Sequence, residues 1–409
     1  MGMQPTLRFS GFEGDWSVRS IRDLGFEISD GNYGELYPKS DEFVASGVPF
    51  IRANNMNGGT VSWSDMRFIS PKQHAVLKSG HLRYRDILVT TRGDIGTVSL
   101  VPIEFEGANI NAQICLLRNA TAALQEFVFF ALIREQARKQ FKELQTGSAL
   151  KQLPRKNLSK IAGYYPPMAE QTKIAEFLGA VDEKIRLLEA RLEQLTLYKK
   201  AMMQKIFSQA IRFKRVDGGD YPDWETKTLN ELTEIVSGLT YSPSDVVSKG
   251  TLVLRSSNVQ NGKLDFNDCV FVEKKIPPNI MSQEGDILLC VRNGSRRLIG
   301  KSAYVGKLDM PATHGAFMSV LRAKNSRFVF QLLNNERFLK LVHMDLGATI
   351  NSINTNNLKK YNFFVPSSET EQQKIANFLS SLDDKIAAVS AQITQMQNFK
   401  KGLLQQMFV

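Results

Sequence analysis

The sequence predicts an α+β chain of two globular domains separated by two long helices, which form an antiparallel coiled coil on an internal pseudo-two-fold repeat. Three observations predict it. A segment near the middle of the chain returns 201 residues later. Each copy opens a stretch of about 40 residues with one glycine, no proline and an apolar seam. The residues before each copy break into short β-type runs bounded by turn residues.

Glu170-Gln171-Thr172-Lys173-Ile174-Ala175-Glu176-Phe177-Leu178 reappears as Glu371-Gln372-Gln373-Lys374-Ile375-Ala376-Asn377-Phe378-Leu379. Val181-Asp182-Glu183-Lys184-Ile185 matches Leu382-Asp383-Asp384-Lys385-Ile386, and Phe207 matches Phe408, without a gap. Weaker echoes precede these. Asp15-Trp16 matches Asp223-Trp224, Ile51-Arg52 with Asn55 matches Leu254-Arg255 with Asn258, and Asp86-Ile87-Leu88 with Arg92 matches Asp286-Ile287-Leu288 with Arg292. Leu117-Arg118 matches Leu321-Arg322, and Gly147, Asn157-Leu158 and Pro166 match Gly347, Asn357-Leu358 and Pro366. The pattern is a common frame carrying two divergent globular parts. It sets boundaries at 1–168, 169–209, 210–368 and 369–409.

In the globular parts, residues 86–91 and 286–291 read as buried strands entered from a turn, with further strands at 97–101 and 302–305. Residues 125–144 and 326–341 read as amphipathic helices. In the first tail the apolar positions Ile174, Phe177, Leu178, Val181, Ile185, Leu188, Leu192, Leu195, Met202 and Ile206 alternate spacings near three and four. In the second they are Ile375, Phe378, Leu379, Leu382, Ile386, Val389, Ile393, Met396, Leu403 and Met407, with Lys400 filling one seam position. This is a heptad seam. A lone helix would leave it wet, so the two copies are expected to pack on each other, with Ile185, Leu188, Leu192, Ile386, Val389 and Ile393 as packing residues. A two-fold relation between the halves makes the pair antiparallel.

Composition narrows the function. The longest apolar run, 127–133, has seven residues, against the ~20 a membrane span needs. The first ten residues have no apolar signal core. Cys115, Cys269 and Cys290 are scattered, which argues for a reducing cytoplasm and against a disulfide frame or zinc knuckle. His74, His81, His314 and His343 have no metal-type spacing. The net charge is +11, which points to a polyanion, nucleic acid first. Residues 1–168 carry 20 Lys and Arg against 16 Asp and Glu, and residues 210–368 carry 21 against 15. Ten of the eleven excess charges therefore lie on the globular parts, so those parts and not the helices would meet DNA.

Three motifs suggest catalysis and fail on inspection. Gly294-Ser295-Arg296-Arg297-Leu298-Ile299-Gly300-Lys301-Ser302 resembles a phosphate-binding loop, but its first glycine is one place early and strand-type residues follow where a helix is required. Pro222-Asp223-Trp224-Glu225-Thr226-Lys227 resembles a nuclease core, but its carboxylates are two residues apart and the copy at Asp15-Trp16 lacks them. The pair reads instead as a turn opening the domain, with a core tryptophan. Tyr164-Tyr165-Pro166-Pro167 lacks the amide or acid that an amino-methyltransferase places before its prolines. No catalytic, cofactor-binding or metal-binding residue is assigned.

Base-reading candidates are amides and arginines on loops, because Arg matches the acceptors of guanine and Asn or Gln the paired donor and acceptor of adenine. One cluster is Arg52, Asn54, Asn55 and Asn57 with Arg92, Asn109, Asn111 and Gln113. The other is Arg255, Ser256, Ser257, Asn258 and Gln260 with Arg292, Asn293, Arg296 and Arg297. A third feature is a glycine followed by small polar residues, giving Ser148 in one half and Thr349 and Asn351 in the other. The competing reading is that Asn-rich stretches are turns capping strands.

The duplicated Glu-Gln-x-Lys-Ile-Ala-x-Phe-Leu, each followed by Asp-x-Lys-Ile, resembles the DNA specificity subunit of bacterial type I restriction–modification systems, over essentially the whole chain. The resemblance implies two target recognition domains, each reading half of a split double-stranded DNA site, and an antiparallel helical spacer between them. It implies two methyltransferase subunits per chain that methylate adenine, and restriction subunits that cleave. S-adenosylmethionine, ATP and Mg are then used by those partners, and none is bound by this chain. The rival reading is a two-headed protein-binding scaffold with a coiled-coil spacer.

Overall fold

A computed structural model describes residues 4–346 and 351–409. The chain forms two compact units, Met1–Glu189 with Ala391–Val409, and Ala190–Ser390. Compactness therefore groups the four sequence segments differently from their order. Each unit takes one globular part, one end of the first long helix (Met168–Phe207) and the opposite end of the second (Glu369–Gln406).

In the first unit a four-stranded antiparallel sheet has the order Glu27–Asp30, Ile114–Arg118, Ile87–Thr90, Val98–Leu100. The strand Ile87–Thr90 is buried throughout because both faces of the sheet are covered. Side chains alternate across a strand. Ile87, Val89, Cys115 and Leu117 enter the core with Phe127, Val128 and Phe141, while Leu88, Ile114 and Leu116 enter another with Ile51 and Ile110. A smaller sheet, Arg67–Ile69, Val48–Ile51, Asn109–Ile110, supplies that second face.

The second unit repeats the plan. Its sheet order is Glu234–Ser237, Met318–Arg322, Ile287–Cys290, Ser302–Tyr304. The covering sheet is Val246–Val247, Phe271–Val272, Thr251–Leu254, Ala312–His314. Trp16 and Trp224 are core residues, as expected from the Asp-Trp echo. Trp224 opens the strand Trp224–Thr228, which pairs with Asn362–Pro366, and the strand Ser17–Ser20 beside Trp16 pairs with Ala162–Tyr165.

One expectation is corrected. Each amphipathic helix of the globular parts is two helices: Ala122–Leu132 and Glu135–Glu143, then Ser326–Leu333 and Glu336–Asp345. The chain breaks at Arg134 and at Asn335, both extended, and the Asn335 side chain caps the new helix by accepting from the Arg337 N–H. Asn is a strong N-cap residue, which is why a helix restarts there.

The repeated tail motif has a physical explanation residue by residue. Glu170 and Glu371 are fully buried, and each receives two guanidinium hydrogen bonds, from Arg8 and from Arg212. Gln171 and Gln372 donate to the carbonyls of Pro166 and Pro366, both at 2.8 Å. Ile174, Ala175 and Leu178, like Ile375, Ala376 and Leu379, enter the core of their unit.

The helix pairing follows from the same cores. In the first unit Ile174, Leu178, Val181 and Ile185 share a core with Leu403 and Met407. In the second, Met203 and Ile206 share one with Ile375 and Leu379. The start of each helix lies beside the end of the other, so they run antiparallel. Asp182 meets Lys400 at 2.6 Å, and Lys199 meets Asp383 at 2.6 Å. Lys400 thus occupies its seam position with a carboxylate partner. Ile185, Leu188, Val389 and Ile393 are buried, and Leu192 and Ile386 half-buried. Phe177 departs from the seam: it is partly exposed and packs edge-on against Phe9.

Candidate nucleic-acid interface

In each unit the strand at the centre of the sheet ends in a loop, and two further loops fold against its base. In the first unit the Thr91 N–H donates to the Gln113 carbonyl at 2.8 Å, and the Leu153 N–H donates to the Thr91 carbonyl at 2.9 Å. This gathers loop residues 91–97, 111–113 and 145–152. In the second unit the Val291 N–H donates to the Phe317 carbonyl at 3.1 Å, and the Ile353 N–H to the Val291 carbonyl at 2.8 Å. The same scaffold hydrogen bonds gather loop residues 291–301, 315–317 and 351–353.

Each cluster presents an arginine stacked on an exposed aromatic. The Arg92 guanidinium lies 5.2 Å from the Tyr33 ring centroid and donates to Gln152 Oε1 at 3.5 Å. Arg292 lies 5.7 Å from the Phe317 centroid and donates to Ser352 Oγ at 3.3 Å. Neither has a carboxylate partner among the described residues. A stacked guanidinium keeps its planar donor fork free for an acceptor pair such as guanine O6 and N7, or for a phosphate. Gln113 and Ser148 are exposed on the first cluster. On the second, Asn293 donates to Ser256 Oγ at 2.8 Å, Asn351 donates to the Gly294 carbonyl at 3.1 Å, and Arg296 and Arg297 are exposed.

Several sequence candidates are not available to DNA. Asn55 and Asn258 are fully buried. Asn55 Oδ1 accepts from the Arg52 N–H and its amide donates to the Ser64 carbonyl. Asn258 Oδ1 accepts from the Arg255 N–H and its amide donates to the carbonyls of Asp265 and Asp268. Arg52 pairs with Asp65 at 2.9 Å and Arg255 with Asp268 at 2.8 Å. This loop is one device built twice, which makes it frame. Asn109 is also fully buried, and Asn111, nearly so, holds the Gln113 N–H. Here the turn-capping reading wins. Asn54, bonded to Asp65, and Asn57 are exposed beside this loop. Thr349 lies outside the described residues. Sequence reasoning missed Tyr33, Gln152 and Phe317, and reached Ser352 only as the last residue of the small polar stretch after Gly347. Their available signals were an aromatic in a glycine-flanked turn and the 200-residue offset between Gln152 and Ser352.

The echoed acids are also frame. Asp86 and Asp286 are buried and receive Arg118 and Arg322 from the neighbouring strand, and the carboxylate hydrogen bond raises Arg118 above its ordinary value. Cys115 and Cys290 are buried thiols, and burial pushes Cys290 up to about 11, so neither is a ready thiolate. The glycine-arginine run at 294–302 forms a loop with a single 3₁₀ turn, Arg296–Leu298, followed by the strand Ser302–Tyr304. No phosphate-binding helix follows it.

The family model described as the type I restriction modification DNA specificity domain matches twice, at residues 13–197 and 221–397. The chain belongs to this specificity family. Each match spans one globular part and most of the long helix after it, so the family unit is the repeat itself. The specificity subunit of the type I restriction enzyme MjaVIII of Methanocaldococcus jannaschii is 28% identical over 295 residues, covering 68% of each chain. The putative MjaX specificity subunit of the same organism is 24% identical over 413 residues, 95% of this chain and 92% of that one. The crystal structure of a type I restriction–modification S subunit from M. genitalium has the same fold, with a TM-score of 0.66 at 17% identity over 100% of this chain and 99% of that one. Among the described residues, no helix is long and apolar enough to cross a membrane.

Proposed function

We propose that this specificity chain reads a bipartite double-stranded DNA site, one half per unit, and directs the methyltransferase and restriction subunits of a type I complex to it. The observation that supports this most is the pair of loop clusters. One hydrogen-bonded scaffold is built twice, and the side chains it presents differ: Tyr33, Gln113 and Gln152 around Arg92, against Phe317, Ser352 and Asn293 around Arg292. A shared frame with different tips is what reading two unlike half-sites requires. The chain itself supplies no catalytic group. S-adenosylmethionine, ATP and Mg belong to the partners, of which two methyltransferase subunits serve each chain. The coiled coil sets the spacing between half-sites.

The test is DNA binding by the full chain assembled with its methyltransferase subunits. Affinity for a duplex carrying the site should fall steeply with salt, log K against log salt sloping by roughly −0.9 per neutralised phosphate. It should also exceed affinity for a scrambled duplex. Weak binding that ignores both salt and sequence would favour the two-headed protein scaffold.

A further inference from the structure

The first unit holds a cleft of about 840 Å³ between the loop that follows strand Ile87–Thr90 and the helix Glu135–Glu143. Arg138, Lys139 and Lys142 line it from the helix. Its two carboxylates are engaged: Asp94 accepts from the Thr97 hydroxyl at 3.0 Å, and Glu135 faces Lys139 at 3.7 Å. Arg138 and Lys142 are exposed and have no carboxylate partner among the described residues. The cleft floor includes Gly58, Gly59 and Gly96, which let backbone lie close to whatever enters.

The second unit has the same loop–helix packing with a different sequence. A Cβ on Gly96 would strike Phe141, and a Cβ on Gly300 would meet Val342, which stands 201 residues after Phe141. The helix positions equivalent to Arg138 and Lys142 are Leu339 and His343. The two cations are missing from the helix, but they return on the loop. That loop has eleven residues, 291–301, against seven, 91–97, and its extra length carries Arg296 and Arg297. Arg296 donates to the Leu346 carbonyl at 3.1 Å, which sets the loop against the end of the helix Glu336–Asp345.

Both units thus carry cations where this loop meets this helix, on the helix in the first unit and on the loop, with Arg296 held at the helix end, in the second. Around a base-reading group the neighbouring side chains should differ between the units, as they do around Arg92 and Arg292. A charge kept in place while its residues change should serve what both half-sites share, which is the sugar–phosphate backbone. We infer that this loop–helix junction is the phosphate seat of each unit, formed by Arg138 and Lys142 in the first and by Arg296 and Arg297 in the second. Arg296 and Arg297 then position the DNA and do not read it. The inference rests on the proposed DNA-reading function.

The experiment uses the full chain assembled with its methyltransferase subunits and duplexes with the cognate or a scrambled site. Arg138→Gln with Lys142→Gln should weaken binding to both duplexes by the same factor. It should reduce the salt slope by about 1.8, roughly 0.9 for each phosphate no longer neutralised. The methylated sequence should not change. Arg296→Gln with Arg297→Gln should do the same, and adding Leu339→Arg with His343→Lys to that variant should restore slope and affinity. Thermal melting separates any failure to fold, and the restoring variant tests the charge directly. An unchanged slope in a folded variant, or a changed methylated sequence, would overturn the phosphate seat. Loss of methyltransferase assembly with an unchanged slope would also overturn it, in favour of an acidic protein surface. The DNA-reading function fails on a different result, an unmodified complex that does not distinguish the two duplexes.

Discussion

Asn258 has the side chain that best pairs with adenine, yet it holds its own loop. Its carbonyl oxygen accepts from the Arg255 N–H, and its amide donates to two carbonyls of residues 265 and 268. Asn258→Ala would leave these buried groups without partners, at about 1–3 kcal/mol. Denaturant unfolding should show that loss while the methylated sequence stays the same. An altered sequence with unchanged stability would return Asn258 to the base-reading set. Asn55 should behave alike. Residue type alone could not separate these roles, because an amide that caps a turn and an amide that reads a base look the same in sequence. The discriminating cue was present, however. Arg52, Asn55 and Asp65 recur as Arg255, Asn258 and Asp268 at a constant offset of 203, and a feature that repeats with its partner is frame. Arg92 and Arg292 also recur, but without a carboxylate, and only their surroundings differ.

The long helices were legible because their seam repeats over ten positions and one core residue type suffices at each. The shorter helix pairs were not, since one extended residue at Arg134 or Asn335 interrupts a period that runs on through it. The seam lysine could be seen but not its partner. Burial pushes the Asp182 carboxyl up, and Lys400 beside it draws it back down. Lys400→Met removes the second effect, so the folded-state value rises further above the unfolded one. The folded chain then binds its proton more readily than the unfolded chain, and stability falls as pH rises through that window. The deficit of the variant should be full at neutral pH and should shrink as pH falls toward the ordinary aspartate range near ~4. Urea unfolding at both ends of that range measures it. A deficit independent of pH would mean that Lys400 acts on the Phe130 ring, 5.6 Å from its ammonium, and not through Asp182.

At the scale of the whole chain, the repeat explains both what is constant and what varies. Buried Glu170 and Glu371, the core tryptophans and the strand-locking Asp86 and Asp286 belong to the frame, and each is an echo between the two halves. The loop tips carry the differences and were the least legible part, since their geometry comes from hydrogen bonds between segments distant in sequence. The central claim is that each unit reads its own half of the DNA site. Its most direct measurement is to map methylated sequences genome-wide in cells carrying the chain with its methyltransferase subunits, for the natural chain and for Arg292→Ala with Phe317→Ala. The natural chain should yield one split motif, and the variant should relax bases in one half of it, by ~1–3 kcal/mol for each bidentate pair removed, with the other half and the spacing intact. A variant motif altered in both halves, or a natural motif with no gap, would contradict the account.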